Sequence, residues 1–216
     1  FMVNILNKNN SLLQYFLSEI RDSKIQQDPM RFRRNMERIG EVMAYEISKN
    51  LNYEQFQTAT PLGTAETFRL KDQIVLATIL RAGLPLHSGM LNYFDRAQNA
   101  FVSAYRKHHK DNSFDIAIEY LSCPDLTDKI LIITDPMLAT GSSMVLAYQA
   151  LLKRGIPKEI HIAATIGSRQ GVEYCTKHLP SHVKIWVAAV DEELTAHAYI
   201  VPGLGDAGDL SFGEKI

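Results

Sequence analysis

The stretch Lys129 to Ser143 reads Lys-Ile-Leu-Ile-Ile-Thr-Asp-Pro-Met-Leu-Ala-Thr-Gly-Ser-Ser. A carboxylate, Asp135, is followed closely by small and hydroxylated residues, Ala139, Thr140, Gly141, Ser142 and Ser143. Small side chains leave backbone N–H groups open, and hydroxyls add donors. The helical composition of Met144 to Arg154 places this run at a helix N-terminus, where the peptide dipoles favour an anion. Carboxylate and cradle together suit a phosphorylated sugar, with the loop holding the phosphate and Asp135 accepting hydrogen bonds from ribose hydroxyls. A nucleoside triphosphate loop would need a lysine after Gly141, and none follows. The other reading of these residues is a tight strand-to-helix turn with Ser142 or Ser143 as its N-cap.

A second loop, Arg81-Ala82-Gly83, carries a cation. Arginine at a strand's carboxyl end grips a phosphate group bidentately, which lysine does less specifically, and Gly83 allows close backbone approach. Standing alone, Arg81 would be an ordinary surface arginine. Arg106 to Asn112 forms a polar, basic stretch able to close over a polyanion. Its adjacent His108 and His109 lack the spaced partner that a metal site needs. Near the C-terminus, Gly203-Leu204-Gly205-Asp206-Ala207-Gly208 satisfies G-x-G-x-x-G, yet too little chain follows to complete a βαβ unit. Such a loop can instead offer main-chain donors and acceptors to a flat base.

Strands must aim these loops. Ile130 to Ile133 and Ile74 to Leu80 are unbroken apolar runs rich in β-branched residues, the pattern of parallel strands covered on both faces. Asp135 is then expected at its strand's carboxyl end, where open α/β sheets bind ligands. Ala100 to Tyr105, Glu159 to Ile166 and Val183 to Val190 read as further strands. Helices are expected over Pro85 to Phe94 and Arg169 to His178. Tyr53 to Leu70, broken at Pro61-Leu62-Gly63, reads as a strand-turn-strand arm, and Phe114 to Tyr120 alternates as a half-exposed strand. At the N-terminal end, Ser11 to Ile20 is a short amphipathic helix. A longer one starts near Pro29, with an apolar stripe at Phe32, Met36, Ile39, Met43, Ile47 and Leu51. Arg31, Arg33, Arg34 and Arg38 lie off this stripe, as a solvated face or a ligand site. His161 reads as structural.

The expected fold class is α/β: a central, mostly parallel sheet flanked by helices, with a β-arm and a C-terminal loop. One domain over residues 1–216 is the economical division, with a helical region at 1–52, the core sheet at 74–190 and the loop segment at 197–216. Charged residues make up 22% and hydrophobic ones 46% of the 216 residues, and the formal net charge is −1. That balance provides no broad basic field for nucleic acid or anionic membrane, so a small-molecule partner is expected. No apolar run is long enough to span a bilayer, the first residues lack a secretion-leader pattern, and the two cysteines form no framework. A cytoplasmic location is the expectation.

Thr134 to Ser143 resembles the phosphoribosyl diphosphate (PRPP) motif of uracil phosphoribosyltransferases. Ile79 to Leu84, Tyr105-Arg106 and Tyr199 to Asp209 match the same family in order and separation. The resemblance implies a type I phosphoribosyltransferase fold and transfer of a phosphoribosyl group from PRPP to uracil, giving uridine monophosphate and diphosphate. It implies Arg81, Arg106, Asp135, Asp206 and the run Pro136, Met137, Leu138, Ala139, Thr140, Gly141, Ser142 and Ser143 as PRPP-binding residues. Arg81, Arg106, Asp135 and Asp206 would be the catalytic set. Tyr199, Ile200, Gly205, Asp206 and Ala207 would line the base. It further implies magnesium carried mainly by substrate and water, a homodimer or larger assembly, and, in some members, GTP as an effector. The Arg31 to Arg38 helix could then serve an effector or subunit contact.

This chain departs from the family pattern at Ser142, where a second glycine is usual, at Pro85, at Leu210 in an often basic position, and at Glu214, where threonine is usual. Two other readings stand beside the main one: a phosphoribosyltransferase for another base, and a non-catalytic RNA-binding regulator on the same fold.

Overall fold

A computed structural model describes residues 2–108 and 114–215; the side chains of Met2 and of residues 104–117 lie outside that description. In chain order the elements are β1 (Met2–Ile5), α1 (Leu12–Arg21), α2 (Pro29–Ser48), β2 (Tyr53–Thr60), β3 (Gly63–Leu70), β4 (Ile74–Leu80), α3 (Leu84–Tyr93), β5 (Gln98–His108) and β6 (Phe114–Ser122). There follow β7 (Ile130–Leu138), α4 (Ser142–Leu151), β8 (Glu159–Ser168), α5 (Arg169–His178), β9 (Lys184–Asp191), β10 (Glu193–Leu194), β11 (Ile200–Val201) and α6 (Ala207–Phe212).

A seven-stranded sheet runs in the order β1-β9-β8-β7-β4-β5-β6. It is parallel throughout, save for β6, which returns antiparallel on β5. The apolar runs of β4, β7, β8 and β9 are buried on both faces because helices cover both. One face packs α1, α2 and α3 through Leu13, Phe32, Met36, Leu86 and Met90. The other packs α4 and α5 through Met144, Tyr148, Leu151 and Cys175. The arm of β2 and β3 forms its own two-stranded ribbon.

From β4 the chain moves outward to β5, and from β7 it moves the opposite way to β8 and β9. The carboxyl ends of β4 and β7 therefore bracket the point at which strand order reverses, where α/β sheets open a crevice. Pairing of β7 with β4 ends at Thr134 opposite Thr78, whereas pairing with β8 continues to Leu138 opposite Gly167. Asp135 thus stands inside β7 rather than at its end, at the residue where the strand parts from β4 on one side only.

Two further differences from the sequence reading have physical causes. Met2–Ile5 is an edge strand on β9, within the stretch read as helical. So short a segment shows no period, and its pairing partner lies far along the chain. The arginines of α2 are not simply a solvated face. Arg31 forks onto Glu19 at 2.8 and 2.7 Å, Arg33 donates to the Ser211 carbonyl at 2.7 Å, and Arg38 lies over the Phe16 ring. The Arg31 guanidinium and the Asn35 amide pull the Glu19 carboxyl down to about 2. Pro29 does open α2, with Asp28 capping the Met30 and Arg31 N–H groups.

His161 is structural. Its Nδ1 accepts from Trp186 Nε1 at 3.0 Å and its Nε2 faces Glu159 at 3.0 Å, while burial pushes the imidazole down to about 4.

Candidate active site

A cleft of about 230 Å³ opens between the carboxyl ends of β4 and β7, closed on its third side by the C-terminal segment. Its wall brings together Arg81, Asp135, Met137, Leu138, Ala139, Thr140, Gly141, Ser143, Tyr199, Ile200, Gly205, Asp206 and Ala207. These come from separate stretches of the sequence, and all were expected there. Pro136 is buried within β7, and Ser142 turns its hydroxyl onto Thr140 Oγ1 at 2.7 Å; neither lines the cleft. The side chain of Arg106 and residues 109–113 of its loop lie outside the described residues.

Burial pushes the Asp135 carboxyl up to about 7, partly offset by a Met137 backbone N–H. A carboxyl in such surroundings gains from incoming hydroxyl donors, which favour its ionised form. Burial, and then the charge of Asp135, push the nearby Cys175 thiol up to about 12, so this sulfur is an inert packing group.

The loop after β7 is shaped by its neighbours. Gly141 is the N-cap of α4 at φ 79°, and a Cβ there would meet the Gly171 carbonyl oxygen at 2.7 Å. A left-handed N-cap glycine has no side chain to cap the helix; the Ser142 N–H turns to Thr140 Oγ1 at 3.4 Å, and the next N–H groups of α4 remain for an anion. Ser142 and Ser143 lie inside the helix and neither is its cap. One hydroxyl braces the loop from behind: Ser168 Oγ donates to the Ala139 carbonyl at 2.5 Å and accepts from the Gly171 N–H at 2.8 Å.

Arg81 lines the cleft, and its guanidinium is engaged with the C-terminal segment. Nη2 donates to Asp209 at 2.8 Å and to the Gly213 carbonyl at 2.5 Å. Among the described residues its buried Nε has no partner. Gly83 is required by the turn itself. A Cβ there would stand 2.1 Å from Thr78 Oγ1, so the glycine lets the turn fold back on β4. Asp206 caps α6, accepting from the Gly208 and Asp209 N–H groups at 2.8 and 3.0 Å. This short helix was missed, because Gly-rich composition argues against one.

Lys215, Met144 and Ala198 also line the cleft and were not expected. Lys215 follows Phe212-Gly213-Glu214 with no periodic pattern; its nearness to the Gly-rich loop was the available signal. Leu210, which stands at an often basic position, packs partly buried against the helical layer. Among the described residues no three His, Cys, Asp or Glu side chains gather. The carboxylates of Asp135 and Asp206 at the cleft are hard oxygen donors, few in number, which fits magnesium carried largely by phosphates and water.

The uracil phosphoribosyltransferase family model matches residues 7–214. The chain is 60% identical over 211 residues to a uracil phosphoribosyltransferase of Porphyromonas gingivalis, with 98% of each chain covered. Identity to the enzyme of that name from Methanothermobacter thermautotrophicus is 40% over 208 residues, covering 95% of this chain and 94% of the relative. Among solved structures, the AQ2163 protein from Aquifex aeolicus superposes with a TM-score of 0.88 at 29% identity over the whole of both chains. With a family model matching residues 7–214 and relatives 60% and 40% identical over nearly the whole of both chains, the chain belongs to the uracil phosphoribosyltransferase family.

Proposed function

We propose that the protein transfers the phosphoribosyl group of PRPP to uracil N1, forming uridine monophosphate and releasing diphosphate, a salvage reaction of the cytoplasm. The observation that carries this is the meeting of the anion loop of α4, Asp135 and the Gly-rich C-terminal segment on one cleft. The N–H groups at the start of α4 and the hydroxyls of Thr140 and Ser143 hold the sugar phosphate. Asp135 accepts from the ribose hydroxyls. The carboxylate oxygen of Asp206 not engaged in the cap meets a sugar hydroxyl. Ile200, Gly205 and Ala207 present main-chain groups to the pyrimidine, with Tyr199 at its edge, and groups matched to the uracil edge select against a purine.

The chain's contribution is chiefly alignment of base and sugar, and neutralisation of the leaving diphosphate. Arg81 and Arg106 serve the diphosphate. Magnesium, bound with PRPP, supplies further charge neutralisation of the phosphates, and Asp135 and Asp206 are the residues that would face it. We further propose a homo-oligomer. The arm of β2 and β3 supports it, with Leu62 fully exposed at its tip and Phe56 and Phe68 exposed along its length.

Purified protein supplied with PRPP and magnesium is assayed against a panel of bases. Uridine monophosphate forms with uracil and nothing forms with hypoxanthine, guanine or xanthine. Consumption of a purine without consumption of uracil would overturn the base assignment.

A further inference from the structure

Gly203 stands just ahead of the cleft-lining Gly205, and a single ion pair holds both of its backbone polar groups. Asp191, the last residue of β9, accepts from the Gly203 N–H at 2.9 Å. Arg21, the last residue of α1, donates to the Gly203 carbonyl at 2.9 Å. The two side chains are themselves joined as a fork, Nη1 to Oδ2 and Nη2 to Oδ1, each at 2.8 Å. Asp191 is 8% exposed, so this carboxylate is held in place by its partners rather than by water.

The link between α1 and α2, and α2 itself, each reach the segment as well. Gln26 donates to the Leu204 carbonyl at 3.1 Å, and Arg33 to the Ser211 carbonyl. The loop needs such help. Gly203 and Gly205 both have positive φ, at 55° and 94°, so the free segment would sample many conformations. A base read largely through main-chain groups is read only as well as that main chain is held, and displacements of about 1 Å are costly.

We propose that Arg21 and Asp191 are positioning residues for base recognition, fixing the Gly203 peptide and so the placement of Gly205 to Ala207 against the pyrimidine edge. They act through the loop and touch neither substrate. The inference rests on the reading of Tyr199 to Ala207 as the base-binding wall. It assigns to the N-terminal helices a part in selecting the base, while the sugar and its phosphates are held by β4, β7 and α4.

Initial rates are measured with uracil and PRPP each varied, for the full chain and for Arg21→Met, Arg21→Lys, Asp191→Asn and Ala207→Val. The expected result for Arg21→Met and Asp191→Asn is a rise in KM for uracil of about tenfold or more, with KM for PRPP changed by less than about twofold. Arg21→Lys, which keeps the charge but not the fork, recovers part of the loss. The double variant Arg21→Met with Asp191→Asn loses no more than the worse single one, because both belong to one device. Parallel changes in both KM values, or no change in either, in a variant whose near-ultraviolet circular dichroism is native would overturn the proposal. Should Arg21→Met fail to fold, Arg21→Lys and Asp191→Asn decide by the same two constants. Ala207→Val separates this from the reading beneath it: if it leaves KM for uracil unchanged, the base-wall reading falls and the positioning role with it. If it alone raises that constant, only the positioning role falls.

Discussion

At the scale of single residues, Asp135 carries the strongest prediction, because it is asked to bind ribose while standing where ionisation is disfavoured. Asp135→Asn keeps the shape and removes the charged acceptor, and kcat/KM should fall by about 100-fold or more. The same substitution should stabilise the ligand-free protein, with a definite pH dependence. The folded carboxyl titrates near 7 and the unfolded one near its ordinary value of 3.8. As pH rises between these values, the unfolded chain loses its proton while the folded one keeps it, so the wild type loses stability over that window. Thermal melts should therefore show Asp135→Asn gaining over wild type at pH 8 and converging with it near pH 4. An equal gain at both values would place the pKa elsewhere. Arg81→Lys keeps a charge but loses the planar guanidinium, whose Nη2 reaches both Asp209 and Gly213, so KM for PRPP should rise by about tenfold. The same change should loosen α6, read as faster amide exchange at Leu210 to Phe212.

At the scale of elements, the anion loop depends on α5 as much as on α4. Ser168→Ala removes the cap of α5 and leaves the Ala139 carbonyl without its donor. We expect a loss of about 1–2 kcal/mol in denaturant unfolding and a raised KM for PRPP. Gly141→Ala sets a Cβ against the Gly171 carbonyl in a left-handed conformation and should cost about 1–3 kcal/mol, with PRPP binding lost by calorimetry. Much of this was legible in the sequence. The apolar runs of β4, β7, β8 and β9 name themselves, since strands buried on both faces need uninterrupted branched residues. Pro29 and Pro85 each mark the first turn of a helix, as expected. What could not be read is long-range. That β7 continues past Asp135 depends on β8 lying beside it. That Gly83 faces Thr78 depends on how sharply the chain turns. The Arg31 to Arg38 cluster looked like a surface because its partners, Glu19 and the Ser211 carbonyl, sit in other elements. The cap of α6 by Asp206 was hidden by glycines that argue for a loop.

At the scale of the whole molecule, the chain divides its labour across the sheet. The carboxyl ends of β4 and β7 and the C-terminal segment line one cleft; in the proposed function the former take the sugar and its phosphates and the latter takes the base. No helix among the described residues is long and apolar enough to cross a membrane. The exposed arm is the face on which assembly should depend: Phe68→Asp should shift the mass measured by light scattering toward the monomer, and an unchanged mass would remove the arm from the interface. In the proposed function, one cleft at the reversal of strand order holds the activated sugar. Isothermal titration of the protein with PRPP in the presence of magnesium tests this most directly. Saturable binding with one site per chain, lost in Asp135→Asn and in Gly141→Ala, is the expected result; undiminished binding in both variants, or no binding to the wild type, would rule the cleft out as the PRPP site.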